Sequence, residues 1–221
     1  MFKNIKKKTK YRVTFLLDKT NLWIEKQLIS FNFQLNKKYI FKISKNPNKI
    51  LNQDIIFPLS YTRILPEKFL NRNNLVLVAH PSKLPRDKGF APIQNQILRN
   101  KRKIYISLIK AVNEVDSGPI VMQDYFKLKG TELNDEIRYL QGLNTLNLIK
   151  KFLKKYPKIK YSNQGGKGNF NKRRNPSDSK LNVNKTLKQQ FNLLRINDNN
   201  LFPSFFYFKG KKYILKIFKG D

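Results

Sequence analysis

Leu75, Val76, Leu77, Val78 and Ala79 form an unbroken apolar run that stops at His80, the only histidine in 221 residues. A short continuous run of this kind suits a strand covered on both faces, as in a parallel sheet between helix layers. Open sheets of that type take their ligands beyond the carboxyl ends of the strands. The sequence places at one such end the side chain that most readily gains and loses a proton near neutral pH.

The flanking segments extend the pattern. Tyr11–Leu17 is β-rich, residues 38–43 and 54–59 read as further strands, and residues 21–31 carry Leu22, Trp23 and Leu28 at near-helical spacing. Residues 64–70 suggest a helical turn with Pro66 at its first position, and residues 92–99 a helix. Residues 103–111 and 120–128 read as strands around a loop containing Asp116. Thr131 is placed to cap a long helix reaching about Tyr156, with Leu133, Ile137, Leu140, Leu148 and Phe152 as its apolar stripe. Residues 160–180 hold Gly165, Gly166, Gly168 and the basic run Lys172-Arg173-Arg174, and read as a flexible linker or mobile loop. The glycines are no phosphate loop, because the Gly-Lys-Ser/Thr ending and the preceding strand are both missing. Leu187, Phe191 and Leu194 then suggest a short amphipathic helix, and residues 205–208 and 212–217 a β-hairpin. The expected fold is α/β, an open Rossmann-like sheet with helices on both faces. The expected division is a main domain over 1–158, a basic flexible linker over 159–183, and a small helix and hairpin extension over 184–221.

Composition narrows the chemistry. There is no cysteine, so disulfides and thiolate metal sites are excluded, and one histidine argues against a histidine-rich metal centre. No metal is expected. No apolar run approaches the ~20 residues a membrane helix needs, and the basic N-terminus is not followed by an apolar signal core. A cytoplasmic protein without a membrane span is the expectation. Lys and Arg number 46 against 14 Asp and Glu, a net charge of +32. Spread along the chain, that excess fits compositional bias, a positive field for anionic small ligands, or a nucleic-acid partner.

Three blocks carry a resemblance. His80-Pro81-Ser82 with Leu84-Pro85, then Gly89-Phe90-Ala91-Pro92-Ile93 with Gln96-Ile97-Leu98, then Asp116-Ser117-Gly118-Pro119-Ile120, occur in that order. Together they resemble the catalytic core of the 10-formyltetrahydrofolate-dependent formyltransferases. The resemblance implies a formyltransferase catalytic domain over 1–158, with 10-formyltetrahydrofolate as formyl donor and no metal. It implies catalytic roles for His80, which polarises the formyl oxygen or relays a proton, and for Asp116, which orients His80 and helps take protons from the attacking amine. Ser117 and Gly118 would shape the turn beside the folate. Phe57, Leu59 and Ser60 resemble the strand and loop that line the pterin pocket through backbone contacts, with ordinary core as the alternative for Phe57 and Leu59. Arg86 and Lys88 resemble the loop that approaches the substrate, where a solvated loop is the alternative. Ser82 either caps a turn or contacts ligand. Asp18, Asn21 and Trp23 follow the first strand, where a nucleotide or sugar could lie, although Trp23 also suits the core. One position departs from the family pattern Asn-x-His: the residue two before His80 is Val78, whose side chain donates no hydrogen bond.

The tail bears on the acceptor. Arg174-Asn175-Pro176-Ser177-Asp178-Ser179, Leu194-Arg195 and Phe202-Pro203-Ser204-Phe205-Phe206 resemble the nucleotide-sugar N-formyltransferase branch. That branch implies the amine of a nucleotide-linked amino-deoxy sugar as substrate, a role in polysaccharide biosynthesis, no nucleic-acid partner, and room for a homodimer. The alternatives are an enzyme like the methionyl-tRNA formyltransferases acting on another amine, or a catalytically silent basic binding protein on the same scaffold.

Overall fold

The structure, a computed structural model, describes residues 9–19, 23–33, 35 and 37–220. Asn21 and Leu22, read above as ligand-edge and helix positions, lie outside the described residues. In chain order the elements are β1 (Tyr11–Leu17), α1 (Glu25–Ser30), β2 (Tyr39–Ser44), β3 (Ile55–Leu59), α2 (Glu67–Asn71), β4 (Leu77–His80), β5 (Lys88–Gly89) and α3 (Pro92–Leu98). They continue with β6 (Lys103–Lys110), β7 (Ile120–Lys127), α4 (Asn134–Lys155), β8 (Phe170–Asn171), α5 (Leu187–Ile196), β9 (Ser204–Phe208) and β10 (Lys211–Leu215).

Strands β2, β1 and β3 pair in parallel in that order. Strands β4, β6 and β7 pair antiparallel. An isolated parallel bridge between Ile56 and Val76 joins the two halves, with the Ile56 N–H donating to the Leu75 carbonyl at 2.8 Å. The apolar run before His80 therefore has a parallel neighbour on one side and an antiparallel one on the other. Purely parallel surroundings were the expectation; the connection through α3 brings β6 back antiparallel beside β4 and makes the sheet mixed, and the turn through the Asp116 loop then reverses the chain again into β7.

Both faces are covered, and the alternation of side chains along β1 shows how. Phe15 and Leu17 point into the larger core with Phe57, Leu28 of α1 and Phe152 of α4, while Leu16 joins Ile56, Val76 and Phe69 of α2 on the other face. Phe15 stacks on Phe57, whose ring meets Phe152 edge-on at 6.0 Å. Each such ring buries enough apolar surface to contribute a few kcal/mol, about 25 cal/mol per Å². Helix α4 begins at Asn134 rather than at Thr131. Leu133 is the cap: Glu136, within the first turn, accepts its N–H at 2.8 Å, while Glu132 takes the Lys129 and Gly130 N–H groups and closes the turn ahead of the helix.

Thr186 and Gln189 form a reciprocal cap on α5. Its inward face is Leu194, Ile196, Gln190 and Arg195, whereas Leu187 and Phe191 of the expected stripe are exposed. Buried Arg195 pairs with buried Glu132 at 3.6 Å and ties α5 to the start of α4. The stretch over 159–183, expected to be a flexible linker, is fastened at three points. Ser162 bridges Ile120, β8 pairs in parallel with β5, and Lys180 bridges Phe205. Gly168 permits a close approach, since a Cβ there would lie 2.7 Å from the Pro85 carbonyl oxygen, and Asn169 and Asn171 supply bonds, so a composition that reads as linker builds contacts here.

Candidate active site

His80 is the last residue of β4, and its side chain is buried. Asp116 occupies a left-handed turn, φ 52°, in the loop between β6 and β7. Gly118 lets that loop close on β6, since a Cβ there would lie 1.7 Å from the Lys110 carbonyl oxygen. The two side chains meet with His80 Nδ1 3.3 Å from Asp116 Oδ1. The other carboxylate oxygen, Oδ2, accepts the Gly89 N–H at 2.9 Å. On the far edge of the ring, Nε2 is 2.7 Å from the main-chain oxygen of Asp87. A carbonyl only accepts, so Nε2 is the donating nitrogen, and Nδ1 is the edge turned toward the carboxylate. At 3.3 Å that second contact is longer than the 2.7–2.9 Å usual for charge-assisted bonds, which leaves Nδ1 the loosely held edge.

Ser107, opposite His80 on β6, donates to the Ser82 carbonyl at 2.6 Å and accepts from Gln123 at 2.7 Å. This chain of bonds fixes the turn after β4 from below. Asp87 lies in the same loop with φ 61°, and only 2% of its surface is exposed. Burial alone would push its carboxyl up. The Asn171 and Asn169 amides with the Arg99 and Lys101 cations outweigh burial and hold it below the ordinary carboxylate range. From the segment after α4, Gln164 donates to the Asp116 and Gly118 carbonyls at 2.7 and 2.8 Å.

The remaining positions singled out in the sequence divide. Ser117 and Gly118 shape the turn: the Ser117 hydroxyl donates to the Val115 carbonyl and accepts from Lys88 Nζ at 2.7 Å. Lys88 thus links the two loops of the site. Arg86 has an exposed side chain. Ser82 is fully buried and donates to the Arg86 carbonyl at 2.7 Å, so it is a turn cap rather than a ligand contact. Asp18 is buried, and one oxygen takes both the Thr62 N–H and hydroxyl, bracing the loops after β1 and β3 instead of facing substrate. Phe57 and Leu59 are core side chains, and only their backbone is left to meet a ligand. Ser60 follows them at φ 49°. Trp23 is not brought to His80. It lines a separate cavity of about 540 Å³ with Gln27, Tyr139, Arg195 and Asp198. Among the described residues no group of three His, Cys, Asp or Glu converges as a metal site would require, and no helix is long and apolar enough to cross a membrane.

The formyl transferase family model matches residues 6–140, which include His80 and Asp116. The chain belongs to the formyl transferase family. Members of this family take their formyl group from 10-formyltetrahydrofolate. The methionyl-tRNA formyltransferase of Borrelia hermsii is 34% identical over 111 residues, half of this chain and 36% of that protein, so the match spans about a third of that relative's length. Among solved structures, a methionyl-tRNA formyltransferase from Clostridium thermocellum superposes with a TM-score of 0.80 at 20% identity, covering 96% of this chain and 94% of that one. A 4-N formyltransferase from Francisella tularensis gives 0.72 at 17% identity over 95% and 98%. In this formyl transferase the residues not anticipated from sequence are Asp87, Gln164, Asn169 and Asn171. For Gln164, Asn169 and Asn171 the only sequence signal was amide side chains gathered in a glycine-rich stretch; Asp87 stood between Arg86 and Lys88 in the loop already expected to approach the substrate.

Proposed function

We propose that this chain transfers a formyl group from 10-formyltetrahydrofolate to an amine at the His80–Asp116 pair. The observation that carries the reading is the buried imidazole at the carboxyl end of β4, fixed through Nε2 and turned toward a carboxylate through Nδ1. Attack by an amine on a formyl carbon requires a group that stabilises the carbonyl oxygen as it gains charge and a group that accepts the proton leaving nitrogen. His80 relays the proton: Nδ1, bare in the tautomer that the Asp87 carbonyl selects, takes it from the attacking nitrogen, donates as Nδ1–H to the charged oxygen, and returns it to the donor nitrogen as the bond from that nitrogen to the formyl carbon breaks. Asp116, held by the Gly89 N–H, helps draw the proton off the amine and stabilises the charged ring. Val78 contributes no donor, so the remaining stabilisation falls to main-chain N–H groups.

The folate fits the seam of the sheet. Pairing between β3 and β4 is a single bridge, Ile56 to Val76. The backbone of Phe57, Leu59 and Ser60, at and just beyond the carboxyl end of β3, would hold the pterin edge. The bound folate supplies the activated formyl carbon.

For the acceptor we favour a nucleotide-linked amino-deoxy sugar. The support is the resemblance of the tail, residues 174–179, Leu194-Arg195 and residues 202–206, to the sugar branch; superposition along nearly the whole chain is shared by a sugar N-formyltransferase and by the methionyl-tRNA formyltransferase from Clostridium thermocellum, so it favours neither acceptor. Exposed Arg86 is placed to meet a diphosphate. Methionyl-tRNA is the second reading, favoured by the identity to the Borrelia hermsii protein. Assays with both acceptors decide: turnover of methionyl-tRNA alone would reject the sugar.

A further inference from the structure

We infer that Asp87 is the positioning residue for His80, holding the ring through its main-chain carbonyl while its buried side chain anchors that carbonyl in place. The inference rests on His80 being the catalytic group proposed above. Every polar group of Asp87 is engaged. Its N–H donates to Asn169 Oδ1 at 3.0 Å, its carbonyl takes His80 Nε2 at 2.7 Å, and its carboxylate binds Arg99, Lys101, Asn169 and Asn171. Arg99 comes from the end of α3, Lys101 from the turn before β6, and the two asparagines from the segment around β8. Two separate parts of the chain, the α3–β6 turn and the segment around β8, thus converge on one carboxylate.

The backbone shows what this convergence does. Asp87 is left-handed, φ 61°, a conformation a non-glycine residue holds only when its surroundings impose it. In that conformation the carbonyl faces the ring seven residues back. An acceptor at Nε2 selects the tautomer protonated there and leaves Nδ1 for Asp116 and the reacting atoms. The anchor acts on a main-chain atom, so the side chain needs no contact with substrate. Residues 82 and 84 positions further on in sequence, Asn169 and Asn171, thereby set the protonation pattern of the only histidine.

That uniqueness makes a clean test, because one imidazole gives one set of long-range 1H–15N correlations. In the wild-type full chain the spectrum should show Nε2 protonated. In Asp87→Ala, checked for folding by circular dichroism, the Nε2 proton should exchange faster and the tautomers mix, while Asp87→Asn, which keeps an acceptor oxygen for the two amides, should restore most of the wild-type pattern. Turnover should follow the spectrum: kcat lower by roughly tenfold to a hundredfold in Asp87→Ala with KM within about threefold, the signature of a misplaced group rather than lost binding. Asn171→Ala removes one donor at the same carboxylate, carries the same expectation with a smaller shift, and serves should Asp87→Ala not fold. An unchanged imidazole spectrum in folded Asp87→Ala or Asn171→Ala overturns the inference. A changed spectrum with wild-type kcat upholds the positioning and rejects instead the catalytic reading of His80.

Discussion

Gly89 gives its main-chain N–H to Asp116 Oδ2 at 2.9 Å, which leaves the other oxygen directed at His80. The glycine is left-handed, φ 84°, and a Cβ there would stand 2.5 Å from the Asn171 carbonyl oxygen. Strand β8 therefore passes so near that only glycine fits. Gly89→Ala should lower unfolding stability by about 1–2 kcal/mol from backbone strain, more if β8 is pushed away. Turnover should fall with it, because the strained residue is the one whose N–H locates Asp116. Urea unfolding and steady-state rates on the same preparation check both.

Asp116→Asn keeps the shape of the side chain and removes its charge. The amide can still accept the Gly89 N–H, so the fold and the loop should persist. Proton acceptance should not, and kcat should drop by roughly 10²–10⁴-fold, the range for general acid–base groups. Circular dichroism unchanged beside that loss separates chemistry from folding.

Acid should destabilise this chain through a few carboxylates rather than through many. Asp87, Glu132 and Asp198 are each held below the ordinary carboxylate range; burial opposes this, but amides, main-chain N–H groups and nearby cations prevail. A depressed folded pKa contributes stability that is present above the unfolded value, near 4, and is lost as pH falls through the folded value. Stability should thus decline below about pH 4, and Asp87→Asn and Glu132→Gln should each flatten that decline while lowering stability at neutral pH. Chemical denaturation between pH 2 and 7 measures the slope.

The outline was legible in the sequence where it rests on local pattern. The apolar run before His80 announced a covered strand, and the two short motifs around His80 and Asp116 named the residues that the fold brings to 3.3 Å. What was not legible depends on distance along the chain. Asp18 looked like a ligand residue because it follows β1, but its partner Thr62 is 44 positions away. Ser82 sits in a motif yet is consumed by the turn it caps. Asp87 acts partly through a carbonyl, which every residue possesses, and its anchors lie in a stretch whose glycines read as a linker. Propensity describes a segment alone and is silent about the surface that segment will cover.

Val78 offers a gain-of-function experiment. It stands two residues before His80, on the same face of β4, and is half-buried. Val78→Asn would add a side-chain donor beside the ring. We expect kcat to rise roughly tenfold, part of the 10²–10³-fold that a single oxyanion donor supplies in other enzymes, at a cost of about 1–2 kcal/mol in stability from the half-buried amide. Rates and melting curves on one variant read both effects.

The most direct measurement is formyl transfer from 10-formyltetrahydrofolate by the wild-type chain and by His80→Ala, with nucleotide-linked 4-amino and 3-amino sugars and methionyl-tRNA offered as acceptors. Formyl transfer through the His80–Asp116 pair requires turnover of an amino sugar by the wild type and a loss of at least about 10²-fold in the variant. Transfer by His80→Ala at close to the wild-type rate would contradict it.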